Sequence, residues 1–367
     1  MHATVLHTDL IAAVSAAATA LPSRPPHPVL GGMLLEQSHV ELKISAYDYE
    51  TSASARINAE GGDSTGVVVS GRLLAQVAKL LPKKPVELTA RDGELLVEAG
   101  RSRFTLPLME AGDFPKMPEI EGFDGIATGP DFAAAVAYAD AAALKDLALA
   151  AKQNLTGILL ENDSDSAMLN VVATDSHRIH WAKVGFKAID TPSAVGVLVP
   201  SKVLASVAGA MASDSDGVFL SLRQLFGISG NGMQRTSATI DQKFPPYRKV
   251  FDKTAVGTLD VNSIELIDAL RRTSALHATK HVVIEPTDDD TVRISTNDAS
   301  DGGAIEEIDV EMAGDPPTLV INGAFLADAI AGVKQETITL TLTGEVSPVF
   351  GNLDGTTKFA VMPVRTQ

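Results

Sequence analysis

The chain has 367 residues, 45% of them hydrophobic, and its 46 acids against 30 lysines and arginines give a formal net charge of −16. That length suits two to three domains, and the absence of cysteine excludes disulfides, thiolate metal sites and cysteine nucleophiles. No apolar run reaches the roughly 18–20 residues of a membrane-spanning helix, and Met1-His2-Ala3 opens without the basic and apolar regions of a secretory signal, so a cytoplasmic location is expected.

In chain order, the first predicted element is an alanine-rich helix over Leu10–Leu21, with apolar residues three and four apart that give it one buried face. Alternating runs follow, Met33-Leu34-Leu35-Glu36 and Val40-Glu41-Leu42-Lys43-Ile44, and period-two alternation predicts strands. An apolar strand Gly66–Val69 leads into a second helix that opens at Ser70, a turn-forming or capping residue. Val86–Ala90 and Leu95–Ala99 flank Asp92-Gly93, a dipeptide that favours a tight hairpin. Gly112-Asp113-Phe114-Pro115 closes this stretch.

The same order of parts then starts again, twice. A helix is predicted over Phe132–Ala150 and another over Ile264–Leu276. Strands recur at Ile158–Glu161 with Met168–Ala173, and at Val282–Glu285 with Thr291–Ser295. Apolar strands Val195–Val199 and Thr318–Ile321 lead into helices opening at Ser201 and Asn322. From Leu10 to Phe132 to Ile264 the steps are 122 and 132 residues, and from Leu73 to Val203 to Phe325 they are 130 and 122. Such a period is one domain per copy rather than a solenoid unit. The boundaries fall near residues 120 and 252, giving copies 1–120, 121–252 and 253–367. The expected class is α+β: three tandem copies of two helices packed on antiparallel sheet. The acidic balance alone argues against nucleic acid, yet the predicted helical windows carry a slight positive balance and the rest of the chain all of the net negative charge.

Several segments resemble the bacterial DNA polymerase III beta subunit, the replicative sliding clamp, along nearly the whole chain. They are Ser23-Arg24-Pro25 with Pro28-Val29-Leu30, Arg101-Ser102-Arg103-Phe104, Ala173-Thr174-Asp175-Ser176-His177-Arg178, Lys243-Phe244-Pro245 with Tyr247-Arg248, and Val361-Met362-Pro363-Val364-Arg365. Tyr47-Asp48-Tyr49-Glu50 and Val361–Arg365 look most like actinobacterial members. The resemblance implies a pseudo-sixfold ring, made by two copies head to tail, whose helices line a hole around duplex DNA. Contacts to DNA would be to phosphates, without base readout, and would weaken with salt. No cofactor or metal is implied, and no catalysis.

Carried over residue by residue, DNA would meet Arg24, Arg72, Lys79, Lys152, Lys202, Arg272 and Lys280. A hydrophobic cleft for short linear peptides of polymerase, clamp loader and repair proteins would include Leu155, Thr174, His177, Arg178, Ile179, Pro245 and Val250 on one side. Asn322, Phe325, Val346, Val361, Met362, Pro363, Val364 and Arg365 would form the other. A flexible methionine among apolar walls accepts varied side chains. The dimer seam would bring Arg101, Arg103, Phe104 and Leu106 against Leu276, Glu306 and Glu307 of a second copy.

This chain departs from the family's pattern at Ser176, usually glycine-like or aromatic; at Gln153-Asn154 and His281, aromatic in some relatives; and at Lys249 and Pro348 on the cleft rim. It also ends Arg365-Thr366-Gln367, where a leucine normally follows that arginine. Those departures keep open a specialised clamp with altered partner or inhibitor binding, and a peptide-binding scaffold that never meets DNA is the rival of another class. Asp175-Ser176-His177 invites a hydrolase reading, but on a strand Ser176 would face away from both neighbours. Gly227-Ile228-Ser229-Gly230-Asn231-Gly232 precedes a β-like run, so a hairpin is expected rather than a phosphate cradle. His277 and His281 have helical spacing without a third metal ligand, which favours two surface histidines.

Overall fold

The computed structural model describes the chain except for residues 63–65, 146–149, 164–165, 190–194, 215, 276–279, 288–289, 299–301 and 365–367. It contains six α-helices among the described residues: α1 His7–Ala18, α2 Gly71–Leu80, α3 Gly129–Asp140, α4 Ser201–Met211, α5 Ser263–Ser274 and α6 Gly323–Val333. Leu10, Ala13, Val14 and Ala17 form the buried face of α1, the spacing the sequence predicts.

Boundaries differ from expectation where local chemistry intervenes. Ser70 precedes α2 but makes no side-chain cap, whereas Asn262 accepts from the amides of Ile264 and Glu265 at 3.0 and 3.1 Å, and Asn322 from Phe325 at 3.1 Å. Helix α3 stops at Asp140, well short of Ala150. There the Asp140 carboxylate takes the Lys145 ammonium at 2.6 Å and the Ser201 hydroxyl, and the chain turns through Ala142.

The chain divides into two compact units, Met1–Ala133 with Phe186–Val199 and Ser206–Thr239, and Ala134–Gly185 with Pro200–Ala205 and Ile240–Gln367. Neither follows one sequence copy, because strands of the middle copy join the sheets of its neighbours. In the first unit Met233–Ala238 pairs antiparallel with Thr51–Asn58, so the sheet of the first copy continues into the second. In the second unit Arg178–Gly185 pairs with Thr357–Val361 in the same way. Helices α1 and α2 pack together on the first unit's sheet, and α5 and α6 on the second's. Each pair covers an apolar core, with Leu35, Ile44 and Leu88 fully buried in one and Ile294, Ile321 and Phe359 in the other.

Two strands change partner midway. Ser102–Pro107 pairs with Glu94–Ala99, then Leu108 and Met109 cross to Val69 and Val68. Likewise Gly302–Asp309 pairs with Thr291–Asp298, then Val310–Gly314 with Gly257–Val261. Asp92-Gly93 and Asn231-Gly232 both turn with positive φ at each residue, the geometry of two-residue hairpins. The second of these makes Gly227–Gly232 a hairpin, as its neighbours in sequence imply.

Candidate functional site

A cavity of about 280 Å³ opens in the second unit, beside the turn that joins Met168–Thr174 to Arg178–Gly185. That turn is built by its own side chains. Asp175 Oδ1 accepts from the amides of His177 and Arg178 at 2.9 and 3.0 Å, and Thr174 Oγ1 accepts from the Ser176 amide at 3.2 Å while donating to the Arg178 carbonyl at 2.6 Å. Ser176 sits at φ +81°, a conformation that favours glycine. The Asp-Ser-His triplet is therefore a turn, so strand alternation does not apply to it. A triad is excluded for another reason: backbone amides and Arg178 already occupy the Asp175 carboxylate.

Arg178 ties this turn to α6. Its Nε meets Asp175 Oδ2 at 3.1 Å, Nη1 meets Asp328 at 3.4 Å, and the guanidinium lies 4.1 Å over the Phe325 ring. The C-terminal segment closes the rim: the Met362 amide donates to the His177 carbonyl at 2.8 Å and the Val364 amide to Val320 at 2.7 Å. On the opposite wall, Asn154 holds the segment before Pro245 through Gln242 and the Lys243 carbonyl, at 3.1 and 2.9 Å. A 3-10 turn, Tyr247–Val250, then covers the sheet. The Tyr247 hydroxyl donates to Glu161 at 2.7 Å, and burial followed by that bond pushes its pKa upward.

Of the residues assigned to the cleft, Leu155, Thr174, His177, Arg178, Ile179, Pro245, Val250 and Met362 line the cavity together. Asn322 caps α6, and Phe325 lies under Arg178 beside the cavity. Val346 is 57% exposed. Val361, by contrast, is fully buried in the core and has no face toward the cavity. Pro363 is buried and Val364 half-buried. Arg365 lies outside the described residues. Sequence reasoning did not assign Ser176, Pro246, Tyr247 and Ala360, which also line it. Two-residue alternation would have found Ala360 from Met362, since both belong to one strand face.

The proposed DNA contacts Arg24, Arg72, Lys79, Lys152, Lys202, Arg272 and Lys280 are all exposed. Arg72 donates to the Ser23 carbonyl and so tethers the Arg24 loop to α2. Arg272 is not a free cation: it forks onto Glu306 at 2.6 and 2.7 Å, and that pairing holds its pKa above the usual range. Glu306, assigned to the seam, is thereby occupied within the chain, as is Glu307 by Arg293 at 3.1 Å and Arg103 by Glu98 at 2.7 Å. Leu106 turns into the core, Phe104 is half-buried against it and Arg101 is exposed. Leu276 lies outside the described residues, as does His277. Ile305, on the strand beside Glu306, is 70% exposed. Among the described residues no cluster of three or more histidines or carboxylates could hold a metal ion.

Comparison with known proteins matches three consecutive family models, the N-terminal, central and C-terminal domains of the DNA polymerase III beta subunit, at residues 1–118, 136–246 and 248–365. The chain is 31% identical to the beta sliding clamp of Streptomyces coelicolor over 97% of each protein, and 34% identical to that of Micrococcus luteus over 74% of this chain and 87% of the other. Its fold matches the crystal structure of the DNA polymerase sliding clamp of Bacillus subtilis with a TM-score of 0.91 over all of both chains, at 21% identity.

Proposed function

This chain belongs to the DNA polymerase III beta subunit family, and from that premise we infer how it works as a sliding clamp. Two copies join head to tail into a ring around duplex DNA, and the cavity beside Arg178 tethers the replicative polymerase, loader and repair proteins through short linear peptides. The observation that carries this reading is the succession of three clamp-domain matches over nearly the whole chain. The domains divide near residues 120 and 252. Duplex phosphates are met by Arg24, Arg72, Lys79, Lys152, Lys202 and Lys280, with Arg272 contributing only when it leaves Glu306.

The partner-changing strands support the seam. Residues 102–107 and 302–309 each have a strand neighbour on one side only among the described pairings, which leaves two open edges suited to pairing between copies. Because Arg103, Glu306 and Glu307 already have partners within the chain, backbone hydrogen bonds and the exposed Ile305 would carry the contact more than charge does. The role is non-catalytic and cytoplasmic, on DNA, and a ring needs only weak phosphate contacts because closure itself retains it. This tolerates an acidic chain.

Retention on DNA tests the reading. After loading on a nicked circle by a clamp loader and ATP, the protein is expected to co-elute with the circle in gel filtration and to be lost once the circle is cut. Equal loss from circular and linear DNA would instead favour the scaffold without DNA.

A further inference from the structure

The peptide cavity occupies one end of a sheet face that continues beyond it. Side chains on one face recur at every second residue. Thr174, Ile179 and Ala360 are register neighbours and line the cavity. Two residues further on, Val172, Trp181 and Lys358 form the next row, and two beyond that Asn170 stands opposite Lys183. The Tyr247–Val250 turn roofs the middle row. Tyr247 meets Trp181 edge-on at 5.0 Å, and Phe251 does so at 5.4 Å.

On the far side of this roof three cations surround the single tryptophan. Lys183 Nζ is 5.1 Å from the Trp181 ring centre, Lys358 Nζ 5.4 Å and the Arg248 guanidinium 5.6 Å. Arg248 is committed to Glu161 and to Asp163 at 2.8 Å. Lys183 and Lys358 make no ion pair among the described residues. Burial, and then repulsion from Lys183, lowers the pKa of Lys358, with Asp354 opposing more weakly. Two neighbouring ammonium groups are thus held in place by the indole, unneutralised in a chain with 46 acids.

We propose that Lys183 and Lys358 form an accessory subsite for acidic residues flanking the peptide held in the cavity. This rests on the cavity being a peptide site. From Ile179 to Lys183 is four residues of strand, about 13 Å, so the acids belong some four extended residues beyond the apolar anchor. Asp354 acts on Lys358, and Glu161 and Asp163 hold Arg248 beside the same indole, which disfavours a polyanion such as duplex DNA and leaves room for one or two carboxylates.

The test is fluorescence anisotropy with a labelled hexapeptide bearing leucines and a phenylalanine. It is measured alone and extended, at either end, by a four-residue Gly-Ser spacer and then Asp-Asp or Ser-Ser. At about 50 mM salt the Asp-Asp extension at one end should tighten binding on the order of five-fold over Ser-Ser, and about 0.5 M salt should abolish the gain. The gain should vanish in Lys183→Met/Lys358→Met, which keeps the alkyl stems on the indole, while the unextended peptide binds the variant as it binds the wild type. Equal affinity of the two extensions, or a gain surviving in the double variant, overturns the subsite. So does loss of the variant from circular DNA with peptide binding intact, which marks the lysines as a DNA contact. If the unextended peptide fails to bind folded wild type, the cavity reading itself fails, and the subsite with it.

Discussion

The two faces of the strand Arg178–Gly185 are both buried, yet they are buried differently. On one face His180 stacks on Tyr138 of α3 at 4.4 Å, and its register neighbour Phe359 is fully enclosed in the core. Helix α6 presses so closely on that face that a Cβ at Gly332 would lie 2.0 Å from the Tyr138 ring. On the other face Ile179 and Trp181 are covered by a single 3-10 turn, and the cavity remains beside it. Two packed helices seal a surface. One short turn leaves it open to a ligand.

Truncation should separate the faces most sharply. Phe359→Ala removes a fully buried ring and is expected to destabilise by about 3–5 kcal/mol, read as a lowered urea midpoint. Met362→Ala on the open side should leave that midpoint nearly unchanged and weaken binding of an apolar peptide. Similar stability losses for both would erase the distinction between the faces.

A pH titration probes the sealed face next. The Tyr138 carbonyl can only accept, so His180 Nδ1 at 2.8 Å carries the proton and Nε2 is left buried without a partner. Burial lowers the His180 pKa to about 4, despite the Tyr138 bond. The unfolded chain, with its ordinary histidine value, binds a proton first as pH falls. Stability is therefore unaffected above pH about 6.5 and declines from there to about 4, by roughly 3 kcal/mol in all. In His180→Phe this component of the pH dependence should disappear from urea unfolding, whatever the variant's stability at pH 7. An unchanged slope would place the histidine's proton elsewhere.

Between the two faces stands Arg178, which starts the strand on the His180 side yet lines the cavity. Its pairing with Asp175 and Asp328 and its stacking on Phe325 fasten the cavity's rim, and the side chain is only 11% exposed. Arg178→Ala should cost about 1–2 kcal/mol of stability and on the order of ten-fold in affinity for an apolar peptide. Loss of stability with full peptide affinity would make it a structural residue only.

How much of this was legible in the sequence follows from the range of each interaction. Helix faces such as Leu10, Ala13, Val14 and Ala17, the Asp92-Gly93 hairpin and the threefold repeat depend on neighbours close in the chain, and they could be read directly. That two strands of the middle copy belong to its neighbours' sheets could not, because pairing of Arg178–Gly185 with Thr357–Val361 joins segments far apart. Eight of the residues assigned to the cleft line one cavity, and they were reached as positions carried over from a family, not from local pattern. Val361 does not line it, because alternation gives Ala360 and Met362 to the cavity face and turns Val361 inward. Arg272 looked like a free cation because nothing local announces Glu306, which comes from a different strand.

The smallest effect concerns the turn at the cavity's edge. Ser176 keeps φ at +81° although its side chain is exposed and lines the cavity, so the conformation is imposed by the preceding Thr174 and Asp175, whose side chains bond the backbone of residues 176–178. A side chain in this region of backbone space carries steric strain that glycine does not, while glycine loses more chain entropy on folding. The two terms oppose each other, and strain relief should narrowly win. Ser176→Gly is then expected to stabilise the protein by up to about 1 kcal/mol, seen as a modest rise in thermal midpoint. The corresponding change at Ala182, on the sealed face and within the strand, should lower it, since there the backbone is extended and only the entropy term and lost packing remain. A destabilised Ser176→Gly would mean that the entropy term outweighs the strain, and that the left-handed backbone at this turn costs the serine little.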